Sequence, residues 1–176
     1  MKGNGAKPVA ADGCLSADTV VVGLGSTLRG DDGVGPRVVA ALEQRLAVAG
    51  RRGKLPTPPA LLIGGVPLLE VFTAYRRVLL VDAMRSGRWP SGTIKVFTPE
   101  QLAAAFPREG LATGGHGGEP AVALARAGQL GLVVPEYLRV WGVEAAATEG
   151  FSETLSLPVA AAVPRLVATL LKELGV

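Results

Sequence analysis

Runs of apolar residues alternate along this chain with segments in which apolar residues recur at helical spacing. Strands are predicted at Thr19–Leu24, Ala60–Ile63, Arg77–Ala83, Thr93–Phe97 and Tyr137–Val143. Helices are predicted from Val34 onward and at Pro67–Tyr75, Pro99–Ala105, Glu119–Ala127 and Leu157–Leu174. Such alternation predicts an α/β fold. We expect a three-layer sandwich, in which a mainly parallel twisted sheet of about five strands carries helices on both faces.

The length of the chain, 176 residues with 48% hydrophobic residues, fits one domain with a full core. Residues 1–18 are polar and rich in glycine and alanine, so we expect a flexible N-terminal extension there. Residues 19–176 are then predicted to form a single α/β domain.

Charge and cysteine content exclude several classes of function. The net charge is +3, but the basic residues are scattered without a dense tract, which argues against nucleic-acid binding. The single cysteine, Cys14, allows neither an internal disulfide nor a cysteine cluster for zinc, and it suits the cytoplasm. Because no apolar run approaches about 20 residues, we expect no membrane span.

The most informative segment is the glycine-rich turn Gly23–Gly35, which joins the first strand to the first helix and carries Asp31 and Asp32. Ligands of open α/β sheets usually bind at such turns. A dinucleotide fingerprint is disfavoured because Leu28 stands where its third glycine belongs. A phosphate loop is disfavoured because two aspartates follow Gly30 in place of lysine and a hydroxyl residue. An aspartate before a helix can also cap it by accepting hydrogen bonds from free backbone N–H groups. We expect one of the two aspartates to cap the following helix, so only the other need belong to a binding or catalytic site.

Two further ionisable residues stand in positions typical of a site. Asp82 follows four apolar residues at the end of a predicted core strand. His116 is the single histidine and lies between two pairs of glycines, which let it approach a metal or a backbone closely. One carboxylate of the first turn, Asp82 and His116 would give two oxygen ligands and one nitrogen. That set suits a borderline divalent metal such as nickel, zinc or iron.

These residues also carry a family resemblance. The turn Gly23–Gly35 resembles the opening motif of the hydrogenase maturation proteases, which trim the C-terminus of the nickel-iron hydrogenase large subunit. The strand ending in Asp82 and the segment around His116 are similar to two other motifs of that family. The resemblance extends over most of the chain from Thr19, including Gly64-Gly65, Val140–Val143 and Leu155–Pro158. Some members of that family carry glutamate at the place of Asp32, and asparagine is usual at the place of Ser26.

The resemblance implies both a function and its residues. Asp32, Asp82 and His116 would be the metal-binding trio and the catalytic site of an endopeptidase that acts on the hydrogenase large-subunit precursor. Nickel would be contributed by this substrate and would not be a permanent cofactor. No separate general base stands out; Asp31 and Glu144 are candidates by position alone.

Two other functions stay open at this stage. The same three residues could capture nickel without hydrolysis, as in a non-catalytic accessory or metallochaperone-like module. A nucleotide-binding oxidoreductase would need a cofactor site, which the spacing of the glycines disfavours. No serine lies in a nucleophile elbow, and Cys14 forms no recognisable pattern with His116.

Overall fold

The computed structural model of the chain describes residues 18–49, 66–105, 119–146 and 151–176. Its strands are β1 (Thr19–Gly23), β2 (Arg77–Met84), β3 (Ile94–Phe97) and β4 (Tyr137–Glu144). Its helices are α1 (Val34–Val48), α2 (Val66–Ala74), α3 (Pro99–Ala105), α4 (Glu119–Gln129) and α5 (Leu157–Glu173). A 3₁₀ turn, Gly30–Gly33, precedes α1. The elements predicted within these residues are confirmed, with ends that shift by two residues or fewer apart from the open end of α1.

The four strands of the described residues form one sheet in the order β1-β2-β4-β3. β1, β2 and β4 are parallel, and β3 joins β4 in antiparallel orientation at the edge. The prediction of a mainly parallel sheet is therefore confirmed. The predicted strand Ala60–Ile63 and nearly all of the predicted N-terminal extension lie outside the described residues, so the fifth strand and the domain boundary stay predictions.

Helices cover both faces of this sheet, as predicted. On one face, α1 and α5 pack over Val21, Leu79 and Val81. On the other face, buried residues of α2, α3 and α4 pack with Val22 and Leu80. Every residue of β1 is buried, as is every residue of β2 after Arg77, which explains why both strands read as continuous apolar runs.

The registers bring the carboxyl ends of β1 and β2 together. Gly23 pairs with Val81, and the N–H of the next residue, Leu24, donates to the carbonyl oxygen of Val81 at 2.8 Å. The turn that follows β1 therefore emerges beside the last residues of β2. Within the described residues, no helix has both the length and the apolar character that a bilayer crossing requires.

Candidate active site

Two glycines allow the turn after β1 to pack closely against the ends of β1 and β2. Gly25 has a φ of +111°, a conformation that favours glycine, and a Cβ there would lie 1.9 Å from the carbonyl oxygen of Asp32. At the start of α1, a Cβ on Gly35 would lie 2.3 Å from the carbonyl oxygen of Leu24 and 2.6 Å from that of Val81. The glycine-rich sequence thus allows a close backbone contact that larger residues would prevent.

Asp32 is held inside this turn. It belongs to the 3₁₀ turn Gly30–Gly33, and it is only 2% exposed. Its Oδ2 accepts a hydrogen bond from the backbone N–H of Ser26 at 2.8 Å. Because the 3₁₀ turn packs against β2, the Asp32 carboxylate is fixed at the carboxyl edge of the sheet.

Asp82 lies within β2 and is 6% exposed. The strand ends at Met84, one residue beyond the predicted end at Ala83. Strand alternation puts the Asp82 side chain on the face that carries Leu80 and Met84, which is the face covered by α2, α3 and α4. Its neighbour in the register of β4 is Gly142.

Gly142, the register partner of Asp82, leaves room for the side chains of Met84 and Phe97. A Cβ on Gly142 would lie 2.7 Å from the Sδ of Met84 and 3.2 Å from the ring of Phe97. A side chain at this position would displace the side chains of Met84 and Phe97. Gly142, which the sequence analysis noted only as part of a strand, therefore allows close packing at the position of β4 that pairs with Asp82.

Asp31 has a different task from its neighbour Asp32. It is 1% exposed, and its Oδ1 accepts the backbone N–H of Ser156 at 2.7 Å. Its Oδ2 accepts the Ser156 hydroxyl at 2.9 Å and the N–H of Ala146 at 2.8 Å. Asp31 therefore joins the turn after β1 to the residue preceding α5 and to the residues after β4.

The prediction that an aspartate of this turn caps the following helix is wrong. Neither Arg29, the N-cap of the 3₁₀ turn, nor Gly33, the N-cap of α1, makes a side-chain capping hydrogen bond. The carboxylate of Asp31 instead bonds to Ser156, the N-cap of α5. An anion near the first turn of α5 is favoured by the helix dipole.

Glu144, the other general-base candidate, also holds a loop. It is 3% exposed, and its carboxylate accepts hydrogen bonds from the N–H of Ser86 at 2.9 Å, the Ser86 hydroxyl at 2.6 Å and the N–H of Gly87 at 2.8 Å. These bonds fix the loop that leaves β2. The carboxylate of Glu144 thus supports the segment that follows Asp82.

The structure brings Asp32 and Asp82 to one edge of the sheet, whereas His116 lies outside the described residues. In residues 18–49, 66–105, 119–146 and 151–176, no group of three histidine, cysteine, aspartate or glutamate side chains is placed to hold a metal ion. The predicted metal trio needs His116. The assignment of Asp32, Asp82 and His116 as catalytic residues and nickel ligands therefore stays a prediction.

Comparison with known proteins finds similarity at the level of structure. No sequence-family profile matches the chain, and no curated protein matches it. An endopeptidase from Escherichia coli solved in solution is 26% identical, with a TM-score of 0.68, over 90% of this chain and 94% of that one. The hydrogenase maturating endopeptidase HybD from E. coli is 22% identical, with a TM-score of 0.66, over 89% and 91% of the two chains.

A third structure extends the comparison to an archaeon. The [NiFe] hydrogenase maturation protease HycI from Thermococcus kodakarensis is 20% identical, with a TM-score of 0.59, over 91% of this chain and 94% of that one. The resemblance indicated by the sequence is confirmed by these structures at the level of the fold. Their names also agree with the prediction of a peptide-bond hydrolase.

Proposed function

We propose that this chain, which has the fold of the hydrogenase maturation endopeptidases, removes a C-terminal peptide from the nickel-loaded large-subunit precursor of a nickel-iron hydrogenase. The observation that carries the proposal is the pair of buried carboxylates, Asp32 and Asp82, at the carboxyl edge of the sheet on this fold. This edge is where open α/β sheets usually bind ligands.

We propose that Asp32, Asp82 and His116 recognise the nickel ion that the substrate carries. Two carboxylates and an imidazole suit a borderline divalent ion and leave positions for ligands from the precursor. His116 stands three residues before Glu119, the first residue of α4, and α4 packs on the face of the sheet that carries Asp82.

In this proposal the metal fixes the position of the bond to be cut. Coordination by Asp32 and Asp82 would hold the precursor over the edge of the sheet, so that the scissile peptide meets the site in one orientation. A substrate-bound metal can polarise a carbonyl group or activate a water molecule. Asp31 and Glu144 each accept three hydrogen bonds that hold loops in place, so we assign neither the role of general base.

Exposed apolar side chains near the site support a protein substrate. Leu28 is 47% exposed, and its carbonyl oxygen accepts the N–H of Ser152, the residue after Phe151, which is 77% exposed. Leu157, 87% exposed, follows the residue that bonds to Asp31. We propose that these side chains contact the precursor, since contiguous exposed apolar surface is typical of sites that bind other proteins.

We further propose that the chain acts in the cytoplasm. Its single cysteine cannot form an internal disulfide, which suits this reducing compartment.

Incubation with a nickel-loaded hydrogenase precursor, followed by intact-mass spectrometry, tests the proposed function. We expect the precursor to lose the mass of a short C-terminal peptide, and the nickel-free precursor to stay intact. A precursor that keeps its full mass while its nickel is transferred to the chain would contradict hydrolysis and support the non-catalytic nickel-binding module instead.

A further inference from the structure

The Asp31 carboxylate connects three parts of the chain that are far apart in sequence. Its three acceptor contacts, all of 2.9 Å or less, come from Ala146 after β4 and from the N–H and hydroxyl of Ser156 before α5. With an exposed fraction of 1%, the carboxylate is shielded from solvent. Hydrogen bonds that backbone N–H groups donate to a charged carboxylate are among the stronger hydrogen bonds in proteins.

The segment before α5 is attached to the same turn by its backbone as well. The N–H of Gly30 donates to the carbonyl oxygen of Ser152 at 2.7 Å, and the N–H of Ser152 donates to the carbonyl oxygen of Leu28 at 3.0 Å. The guanidinium of Arg37, in α1, donates to the carbonyl oxygen of Glu153. The turn that carries Asp32 is therefore also held by backbone and side-chain bonds to residues 152–156.

We propose that Asp31 is a positioning residue: its bonds to Ser156 and Ala146 fix the 3₁₀ turn so that Asp32 is held in the geometry that the reaction needs. This inference rests on the proposed function. Asp31 and Asp32 are adjacent in sequence, and the side chain of one bonds to the start of α5 while that of the other bonds to Ser26. Substitution of Asp31 by asparagine weakens these bonds. The turn is then held less firmly, and the carboxylate of Asp32 moves with it.

A matched control exists at the other end of α5. Glu173 is also a carboxylate that ties this helix to the sheet, because its Oε1 accepts hydrogen bonds from Arg77 and from the Tyr137 hydroxyl, both at 2.6 Å. Arg77 and Tyr137 begin β2 and β4, so this cluster lies at the edge of the sheet opposite to Asp32. Glu173→Gln removes the same charge and loosens the same helix without touching the turn.

The experiment compares wild type, Asp31→Asn and Glu173→Gln in steady-state cleavage of the nickel-loaded precursor, well below each melting temperature. The amide of the Asp31→Asn variant would offer one carbonyl oxygen where the carboxylate offers two. We expect Asp31→Asn to lower kcat about 10- to 100-fold and to change KM less than about threefold, since small misplacements of a reacting group cost rates of this size. For Glu173→Gln we expect a kcat within about twofold of wild type.

Hydrogen exchange shows whether the loss of the Asp31 contacts reaches the bond that holds Asp32, while the change in kcat at nearly constant KM shows whether it reaches the reaction. The amide of Ser26 bonds to Asp32 and not to Asp31, so faster exchange at Ser26 reports the position of Asp32. We expect faster exchange at Ser26 in Asp31→Asn and unchanged exchange in Glu173→Gln. Equal kcat values in the two variants, or an unchanged Ser26 amide in Asp31→Asn, would overturn the positioning role.

The test of Asp31 stays decisive if wild type does not cleave the precursor or if Asp31→Asn does not fold. If wild type does not cleave the precursor, the proposed function fails, whereas exchange at Ser26 still decides whether Asp31 positions Asp32. If Asp31→Asn does not fold, Ser156→Ala takes its place, because it removes only the hydroxyl contact with Oδ2. We expect Ser156→Ala to lower kcat about three- to tenfold at constant KM, and a kcat equal to wild type would refute the proposal.

Discussion

The backbone N–H of Ser26 donates a hydrogen bond to Oδ2 of Asp32 at 2.8 Å, across the turn that joins β1 to α1. The bond fixes the carboxylate within its own loop, at a position that is 2% exposed. Substitution of Asp32 by asparagine keeps an acceptor for Ser26 and removes the anionic charge. Asp32→Asn therefore separates the chemistry of the carboxylate from the structure of the turn.

Asp82→Asn tests the second carboxylate in the same way. We expect this variant to lose precursor cleavage, because an amide oxygen is a weaker metal ligand than a carboxylate, while the free energy of unfolding falls by no more than about 1 kcal/mol. Chemical denaturation measures stability and intact-mass spectrometry measures cleavage. A variant that unfolds more easily but still cleaves at the wild-type rate would show that Asp82 serves the core and not the reaction.

Isothermal titration calorimetry tests whether the metal belongs to the substrate. The free chain supplies three proposed ligands from separate segments and no thiolate from the described residues, so we expect weak nickel binding that dialysis reverses. The His116→Ala variant is expected to weaken it further. Tight stoichiometric binding that survives dialysis would argue against a substrate-borne metal and for the accessory module.

The close approach of α1 to the strand ends predicts a large effect at Gly35. A Cβ there would lie 2.3 Å from the carbonyl oxygen of Leu24, a backbone atom that cannot move aside. We expect Gly35→Ala to lower the free energy of unfolding by about 1–3 kcal/mol, the usual cost of overpacking. Gly128→Ala in α4 is the control, since a Cβ at Gly128 meets no atom within 4 Å.

Both glycines lie near a helix end, and helix propensity favours alanine over glycine at each, so the two variants differ mainly in the clash. We expect Gly128→Ala to be as stable as wild type or slightly more stable. Urea denaturation of the three proteins measures the difference. Equal stability of Gly35→Ala and Gly128→Ala would show that α1 does not press on the ends of β1 and β2 as described.

The Glu173 cluster predicts a pH dependence of stability. The hydrogen bond from the Tyr137 hydroxyl, followed by that from Arg77, holds the pKa of Glu173 below its ordinary value of 4.5, although burial opposes them. Since the pKa is lower in the folded chain, the stability that Glu173 contributes is present above the unfolded pKa and is lost as the pH falls through the folded pKa.

We therefore expect Glu173→Gln to be less stable than wild type at about pH 7, and the difference to shrink as the pH falls below about 4.5. Thermal melts of both proteins over this range measure the effect. A difference that stays constant down to about pH 2 would mean that the charge of Glu173 contributes nothing.

The sequence predicted the elements because their patterns are local. Four apolar residues before Asp82 identify a buried strand, and apolar residues at helical spacing from Leu157 onward identify α5. The partner of Asp31 was not predictable in this way, since Ser156 is 125 positions away and any polar residue of the fold could have met the carboxylate. Reasoning from neighbouring residues therefore assigned an aspartate to the cap of α1, whereas Asp31 bonds to the start of α5.

The same limit applies to the surroundings of the site. Glu144 follows an apolar strand just as Asp82 does, and sequence alone gives both the same position at the end of a strand. Only the packed structure shows that Glu144 accepts hydrogen bonds from Ser86 and Gly87, whereas Asp82 lies beside Gly142. Roles of equivalent carboxylates depend on contacts between distant segments, which residue patterns do not encode.

The central claim is that Asp32 acts on a nickel-loaded precursor. Its most direct test is the intact mass of that precursor after incubation with wild type, Asp32→Asn or Glu43→Gln, a variant that loses one exposed charge on α1. We predict peptide release by wild type and by Glu43→Gln, and a full-length precursor with Asp32→Asn, whose melting curve stays that of a folded protein. Release by Asp32→Asn at the wild-type rate would contradict the account.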